Sequence, residues 1–157
     1  MMRRLAGPGL ALIFAIGSGP AATAKMPQGF EVQHSWSRPA AKGTTGVGYM
    51  VMVNRSSASV NIVKAASPMA RAVEFHKSAM SGAMMTMEHL SAGVAVPAGR
   101  QLSFAPGGYH LMFVGLTKAL KAGDQIPATL TLSDGSTLLV RFDVRAGGAM
   151  PPGAPHH

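Results

Sequence analysis

The chain has 157 residues, 47% of them hydrophobic, enough to close one core and too few for two independent ones. Its 14 Lys and Arg outnumber 6 Asp and Glu, yet they are scattered singly and are not interleaved with aromatics, so no nucleic-acid surface is expected. There is no cysteine, which excludes disulfides, thiolate nucleophiles and thiolate metal ligands together.

The first residues differ from the rest. Arg3 and Arg4 precede an apolar run from Leu5 to Ile16, and small residues then lead to Ala22-Thr23-Ala24. This order is that of a secretory signal peptide, residues 1–24, cleaved after Ala24. The run is broken by Gly7, Pro8 and Gly9 and is shorter than the roughly 20 residues a spanning helix needs, so no stable membrane insertion is expected. Loss of Arg3 and Arg4 would leave 12 basic against 6 acidic side chains, a net charge of +6 on the exported chain. That charge would steer the protein towards an acidic partner or an anionic surface, or simply mark a basic exported protein.

From Phe30 onward, short β-rich segments alternate with Gly, Pro, Asn and Asp. GVGYMVMVN (46–54) and VNIVKAA (60–66) flank the polar turn Arg55-Ser56-Ser57 and read as two paired strands. RAVEFHKS and AMMTMEHL flank Ser81-Gly82. QLSFA and YHLMFVGL lie either side of Pro106-Gly107-Gly108, and QIPATLTL and TLLVRFDV either side of Asp134-Gly135. LTKALKAGD (116–124) is at most one turn of helix closed by Gly123. Strands at this spacing imply a single all-β domain over 25–145, a sandwich or barrel. After Arg145 the Gly- and Pro-rich stretch 146–157 cannot pack and reads as a flexible tail ending in His156-His157.

The segment VEFHKSAMSGAMMTMEHL (73–90) concentrates methionine and histidine. With Ser81-Gly82 as a two-residue hairpin loop, His76 faces Met87 and Glu74 faces His89. Glu74, His76, Ser78 and Met80 then share one face with Ala83, Met85, Met87 and His89. In GGYHLMFVG, His110 and Met112 are two apart and so also share a face. If that strand lies beside the hairpin, His76, Met87, His110 and Met112 form a site of two imidazoles and two thioethers. Soft, uncharged thioethers discriminate against hard cations and favour Cu(I). Zinc would find only imidazole among its preferred ligands, and a blue-copper centre would lack its thiolate. Four protein ligands with no water position argue against catalysis at the metal.

The other candidates read more plainly. Met50, Met52, Met69, Met80 and Met84 are assigned to core packing. His89 is expected in a hydrogen-bonded pair with Glu74, or holding a ligand in place from behind. His34 has no visible partner in the sequence. His156 and His157, with Met150, offer loose, weak binding of Cu(II) or Cu(I), or are incidental.

The hairpin segment, with VPAGRQLSFAPGGYHLMFVGLTKALKAGDQIPATLTLSDGSTLLVRFDV, resembles the periplasmic copper chaperone family PCu(A)C, whose pattern is His, ten residues, Met, some twenty residues, then His-x-Met. Here ten residues separate His76 from Met87, twenty-two separate Met87 from His110, and Met112 closes the motif. The resemblance spans about residues 30–144. It implies a cupredoxin-like Greek-key β-sandwich holding Cu(I) by those four side chains. It also implies a periplasmic location and delivery of copper to the copper A centre of cytochrome c oxidase. The acceptor would be an oxidase subunit or a thiol-bearing assembly factor. Members often carry Met at or just after the position of Lys77, so an auxiliary methionine is missing there.

The sequence is therefore read as a monomeric periplasmic metallochaperone that binds Cu(I) and passes it on by ligand exchange. A periplasmic copper storage or resistance protein would use the same ligands with no acceptor. A metal-free structural sandwich would use the methionines as core.

Overall fold

The computed structural model describes residues 27–147, so the expected signal peptide and all but the first two residues of the expected tail lie outside it. Ten strands are formed: β1 (Phe30–Ser37), β2 (Gly46–Asn54), β3 (Val60–Ala66), β4 (Ala70–Ser81), β5 (Met84–His89), β6 (Val94–Val96), β7 (Gln101–Phe104), β8 (Tyr109–Leu116), β9 (Gln125–Leu132) and β10 (Thr137–Val144). No helix occurs among the described residues, so none is long and apolar enough to cross a membrane.

Alternation of apolar and polar residues explains the strands. In β9, Ile126, Ala128, Leu130 and Leu132 point inward, and in β10 Val140, Phe142 and Val144 do the same. These two form a hairpin from Thr137↔Thr131 to Asp143↔Gln125 around Asp134-Gly135. The sheet runs β5-β4-β8-β7-β2-β1-β10-β9-β3-β6, with extra pairings β8–β2 and β4–β3. The last of these, Ala65↔Val73, closes the sheet into a barrel, which satisfies strand edges that would otherwise stay open. Outside that ring, β5 pairs only with β4, and β6 only with β3. Inside it, Phe113 meets Phe142 edge to face at 5.4 Å. Gly48 lies so close to both rings that any added Cβ would sit 2.8 Å from Phe113.

Three expectations differ from the structure. β2 and β3 are not a paired hairpin: β2 pairs with β1, β7 and β8, whereas β3 pairs with β4, β6 and β9. The polar turn between them crosses the barrel instead, because buried Asn54 fixes it. The Asn54 amide donates to the carbonyls of Ala58, Val96 and Pro97, and its oxygen accepts from the Ser56 N–H and hydroxyl. Secondly, residues 117–124 form no helical turn. Leu120 is buried and bridges Ala40 through paired backbone hydrogen bonds, which holds this stretch against the barrel ahead of a single non-helical turn, residues 121–124, with Gly123 at φ +95°. Thirdly, Met50, Met52 and Met69 are core residues as expected, but Met80 and Met84 are not: they are 63% and 71% exposed on the β4–β5 hairpin. That hairpin reaches beyond the barrel wall, so its far end has no core to pack into.

Candidate metal centre

The site is built on the outer face of β5, β4 and β8. On the inner face, Phe75 and Leu111 are opposite one another and buried, and Phe75, Phe104 and Tyr109 form a row of ring contacts at 6.4 and 5.6 Å. This packing fixes the two central strands from behind. Alternation then turns Glu74, His76, Ser78 and Met80 of β4 to the outer face, with His110 and Met112 of β8 beside them.

The hairpin register differs from the expected one. Ser81 pairs with Met84, so the two-residue loop is Gly82-Ala83 and not Ser81-Gly82. Gly82 has φ +63° while Ala83 keeps an ordinary negative φ. A lone positive φ at the first loop position is the type II′ arrangement, for which Gly belongs first. The pairing therefore shifts by two residues: His76 faces His89, Ser78 faces Met87 and Met80 faces Met85. An even shift keeps every side chain on its face, so the expected grouping survives although the expected partners do not. Met87 is diagonal to His76 instead of opposite it, and Glu74 does not face His89.

On β8, His110 is directly opposite His76 and Met112 directly opposite Glu74. Three imidazoles consequently form a row across three strands. The rings of His89 and His76 stack at 5.1 Å, and those of His76 and His110 at 5.8 Å. The structure thus brings His76 and His110 together, with Met112 at one diagonal of His76 and Met87 at the other. Met112 is half-buried, whereas Met87 is 61% exposed, as are its neighbours Met80 and Met85 to a similar degree.

Hydrogen bonds set the ring chemistry. The Nδ1–H of buried His110 donates to the Gly108 carbonyl at 3.0 Å, because a carbonyl can only accept, and this leaves Nε2 with its lone pair in the neutral ring. The Nε2–H of His76 donates to the Glu74 carboxylate at 3.0 Å. That hydrogen bond, aided by the nearby His89, holds the Glu74 carboxyl below the usual carboxylate range, against a smaller opposing effect of burial. The Nδ1 of His76 is then left with a lone pair, buried and without any hydrogen-bond partner, the one such side-chain atom among the described residues. A buried acceptor with no donor costs free energy on the order of 1–3 kcal/mol, which a bound Lewis acid would recover. The carboxylate-to-imidazole arrangement is also the one that orients metal-ligating histidines elsewhere.

Glu74, His76 and His89 additionally form a group whose potential ligand atoms lie within 4.8 Å of one another. The sequence signalled His76 as a copper ligand but Glu74 and His89 only as a facing pair, or His89 as a support behind a ligand, because the loop position of Gly82, one residue off the expected place, decides who faces whom. His34 sits apart, exposed at φ +51° on a bulge of β1.

Comparison with known proteins agrees with this architecture. Residues 30–144 match the family described as "Putative lipoprotein LpqE-like". A relative from Leifsonia xyli subsp. xyli (strain CTCB07), "Putative lipoprotein Lxx21020", is 35% identical over 121 residues, 77% of this chain and 72% of that protein. Among solved structures, the copper-bound PCuAC domain from PmoF2 superimposes with a TM-score of 0.63 at 22% identity, covering 79% of this chain and 98% of that one. The solution structure of CuI-DR1885 from Deinococcus radiodurans gives 0.55 at 28% identity, covering 76% and 82%. The β-barrel described above is thus the cupredoxin-like fold of PCuAC domains, and the chain belongs to the LpqE-like family.

Proposed function

We propose that this protein is a copper(I) carrier that holds the ion with His76, His110, Met112 and Met87 and gives it up by ligand exchange. The observation that carries this reading is the pair of imidazole lone pairs, Nδ1 of His76 and Nε2 of His110, prepared by the Glu74 and Gly108 hydrogen bonds and flanked by thioethers on one face. Methionine has three rotatable side-chain bonds, so Met112 and Met87 can close on the ion from their diagonal positions. The metal-free alternative needs the hairpin methionines in a core, and Met80, Met84, Met85 and Met87 are 60–71% exposed. Copper in the related PmoF2 and DR1885 structures supports the same choice of ion.

Carrier function follows from the exposure of one side of the site. A partner can approach at Met87 on the open hairpin while His110 stays sheathed in the barrel wall. Neutral thioethers add no charge to Cu(I), so incoming thiolates displace them one at a time, a direction of transfer suited to a donor that has no cysteine. We place this activity in the periplasm, after export and cleavage behind Ala24, with the copper A centre of cytochrome c oxidase or its thiol-bearing assembly factor as acceptor. No residue has the open-coordination arrangement of a catalytic metal in this scheme, and the protein acts as a binder.

The test is X-ray absorption and competitive Cu(I) titration of His76→Ala, His110→Ala, Met87→Leu and Met112→Leu. A mixed nitrogen and sulfur shell is expected, with each change lowering affinity at least about tenfold. An oxygen-rich shell, or affinity indifferent to all four changes, would refute the reading. Deletion that lowers copper tolerance while leaving oxidase activity intact would instead assign storage.

A further inference from the structure

We infer that the same face carries a second ligand set, Glu74, His76 and His89, that binds a divalent borderline cation, and that His76 is shared between the two sets. The inference rests on the copper reading only for that sharing.

Glu74 and His76 lie on β4, and His89 faces His76 from β5. Their ligand atoms fall within 4.8 Å of one another, close enough for one ion to span after small side-chain adjustment. The two imidazole rings are stacked only 14° from parallel, with both edges near the Glu74 carboxylate. The donor set is two nitrogens and one anionic oxygen with no thioether. It is harder than the His76, His110, Met87, Met112 set on two counts: it carries a negative charge, and it lacks sulfur. Such donors suit Cu(II) above the other first-row divalent ions and do little for Cu(I).

Position separates the sets further. His89 is on the exposed edge strand, where water can complete the four or five ligands that Cu(II) takes, whereas His110 is buried in the wall. The Nε2 of His76 is the nitrogen beside Glu74, so a cation there replaces the proton shared by that pair. The copper(I) reading uses the other nitrogen, the buried and unpartnered Nδ1. One ring thus presents a different nitrogen to each set, and the face can retain copper in either oxidation state without rearranging a strand.

The experiment uses the full chain with His156→Ala and His157→Ala, so that the tail imidazoles do not contribute, and reads Cu(II) by electron paramagnetic resonance and competitive titration beside Cu(I) affinity. His89→Ala is expected to weaken Cu(II) at least tenfold and remove one nitrogen from the hyperfine pattern, with Cu(I) affinity unchanged. Met112→Leu is expected to do the reverse. Glu74→Gln should weaken both, since Glu74 is a ligand in one set and orients His76 in the other, and His89→Asp should restore part of the Cu(II) affinity.

Cu(II) binding indifferent to His89→Ala, or abolished already by the tail substitutions, would overturn the inference. So would a Cu(II) affinity that falls with Met112→Leu as far as Cu(I) does. If instead Cu(I) ignores every thioether change while Cu(II) still depends on His89, the carrier reading fails and this site stands.

Discussion

At the scale of single residues, the site depends on small choices of hydrogen-bond partner. Gly108 contributes its carbonyl twice, accepting from the Ser78 N–H and from His110 Nδ1, and so ties the β4 strand to the ring of a proposed ligand on β8. Glu74 does the equivalent for His76. Away from the face, Asn54 shows how much one buried amide can decide. It satisfies three carbonyls and accepts from two donors at the point where the chain leaves β2 for β3. Asn54→Ala removes a buried amide from three carbonyls, of which Ala58 and Val96 keep a serine hydroxyl as a second donor, and we expect a loss of about 2 kcal/mol. Urea unfolding of the variant checks this, and a midpoint equal to wild type would show that water replaces the amide without cost.

At the scale of elements, the β4–β5 hairpin is distinct from the rest of the fold. β5 is exposed along its whole length and buries no core side chain, so its hold on the domain is the ladder to β4 and the turn at Gly82-Ala83. A β-branched residue at φ +63° costs about 1–2 kcal/mol. Gly82→Val should therefore loosen this unit alone. Amide exchange in β5 should quicken about tenfold while the global unfolding midpoint barely moves, since local opening does not require the barrel to open. Cu(I) affinity should drop with it, because Met87 rides on β5. Equal protection in both proteins would mean that the turn does not govern the strand. The same flexibility is what the proposed hand-over would need: one proposed ligand on a strand that opens cheaply, the others on strands that do not.

At the scale of the whole molecule, the closed barrel supplies stability so that the outer face need not. The largest fully buried side chains include Phe113, Phe142, Met50 and Met52, all on the inner surface, and the proposed metal face carries a buried nitrogen with no hydrogen-bond partner. Bound copper should then act as a stabiliser. A ligand present at 100 times its dissociation constant adds about 2.7 kcal/mol to a folded state that alone binds it, which for a domain of this size is a rise of several degrees in Tm. Thermal scans with and without Cu(I) measure it, and the rise should vanish in the His76→Ala variant. A rise that persists there would place the ion elsewhere.

Much of this protein was legible in the residues. The β-rich runs between turn residues matched β2, β3, β8, β9 and β10 to the residue, because Gly, Pro, Asn and Asp end a strand where the ladder stops. The common face of Glu74, His76, Met87 and His89 was legible too, since an even error in register leaves faces unchanged. What tertiary structure alone decided was who stands beside whom. Sequence could not say that β2 and β3 belong to different parts of the ring, because the partners of buried Asn54 include Val96 and Pro97, some forty residues away. Nor could it say that β8 lies against β4 with His110 opposite His76, or that the hairpin projects past the core and leaves Met80 and Met84 in solvent. Local spacing fixes which side of a strand a residue takes; long-range closure of the barrel fixes its neighbours, and a metal site is made of neighbours.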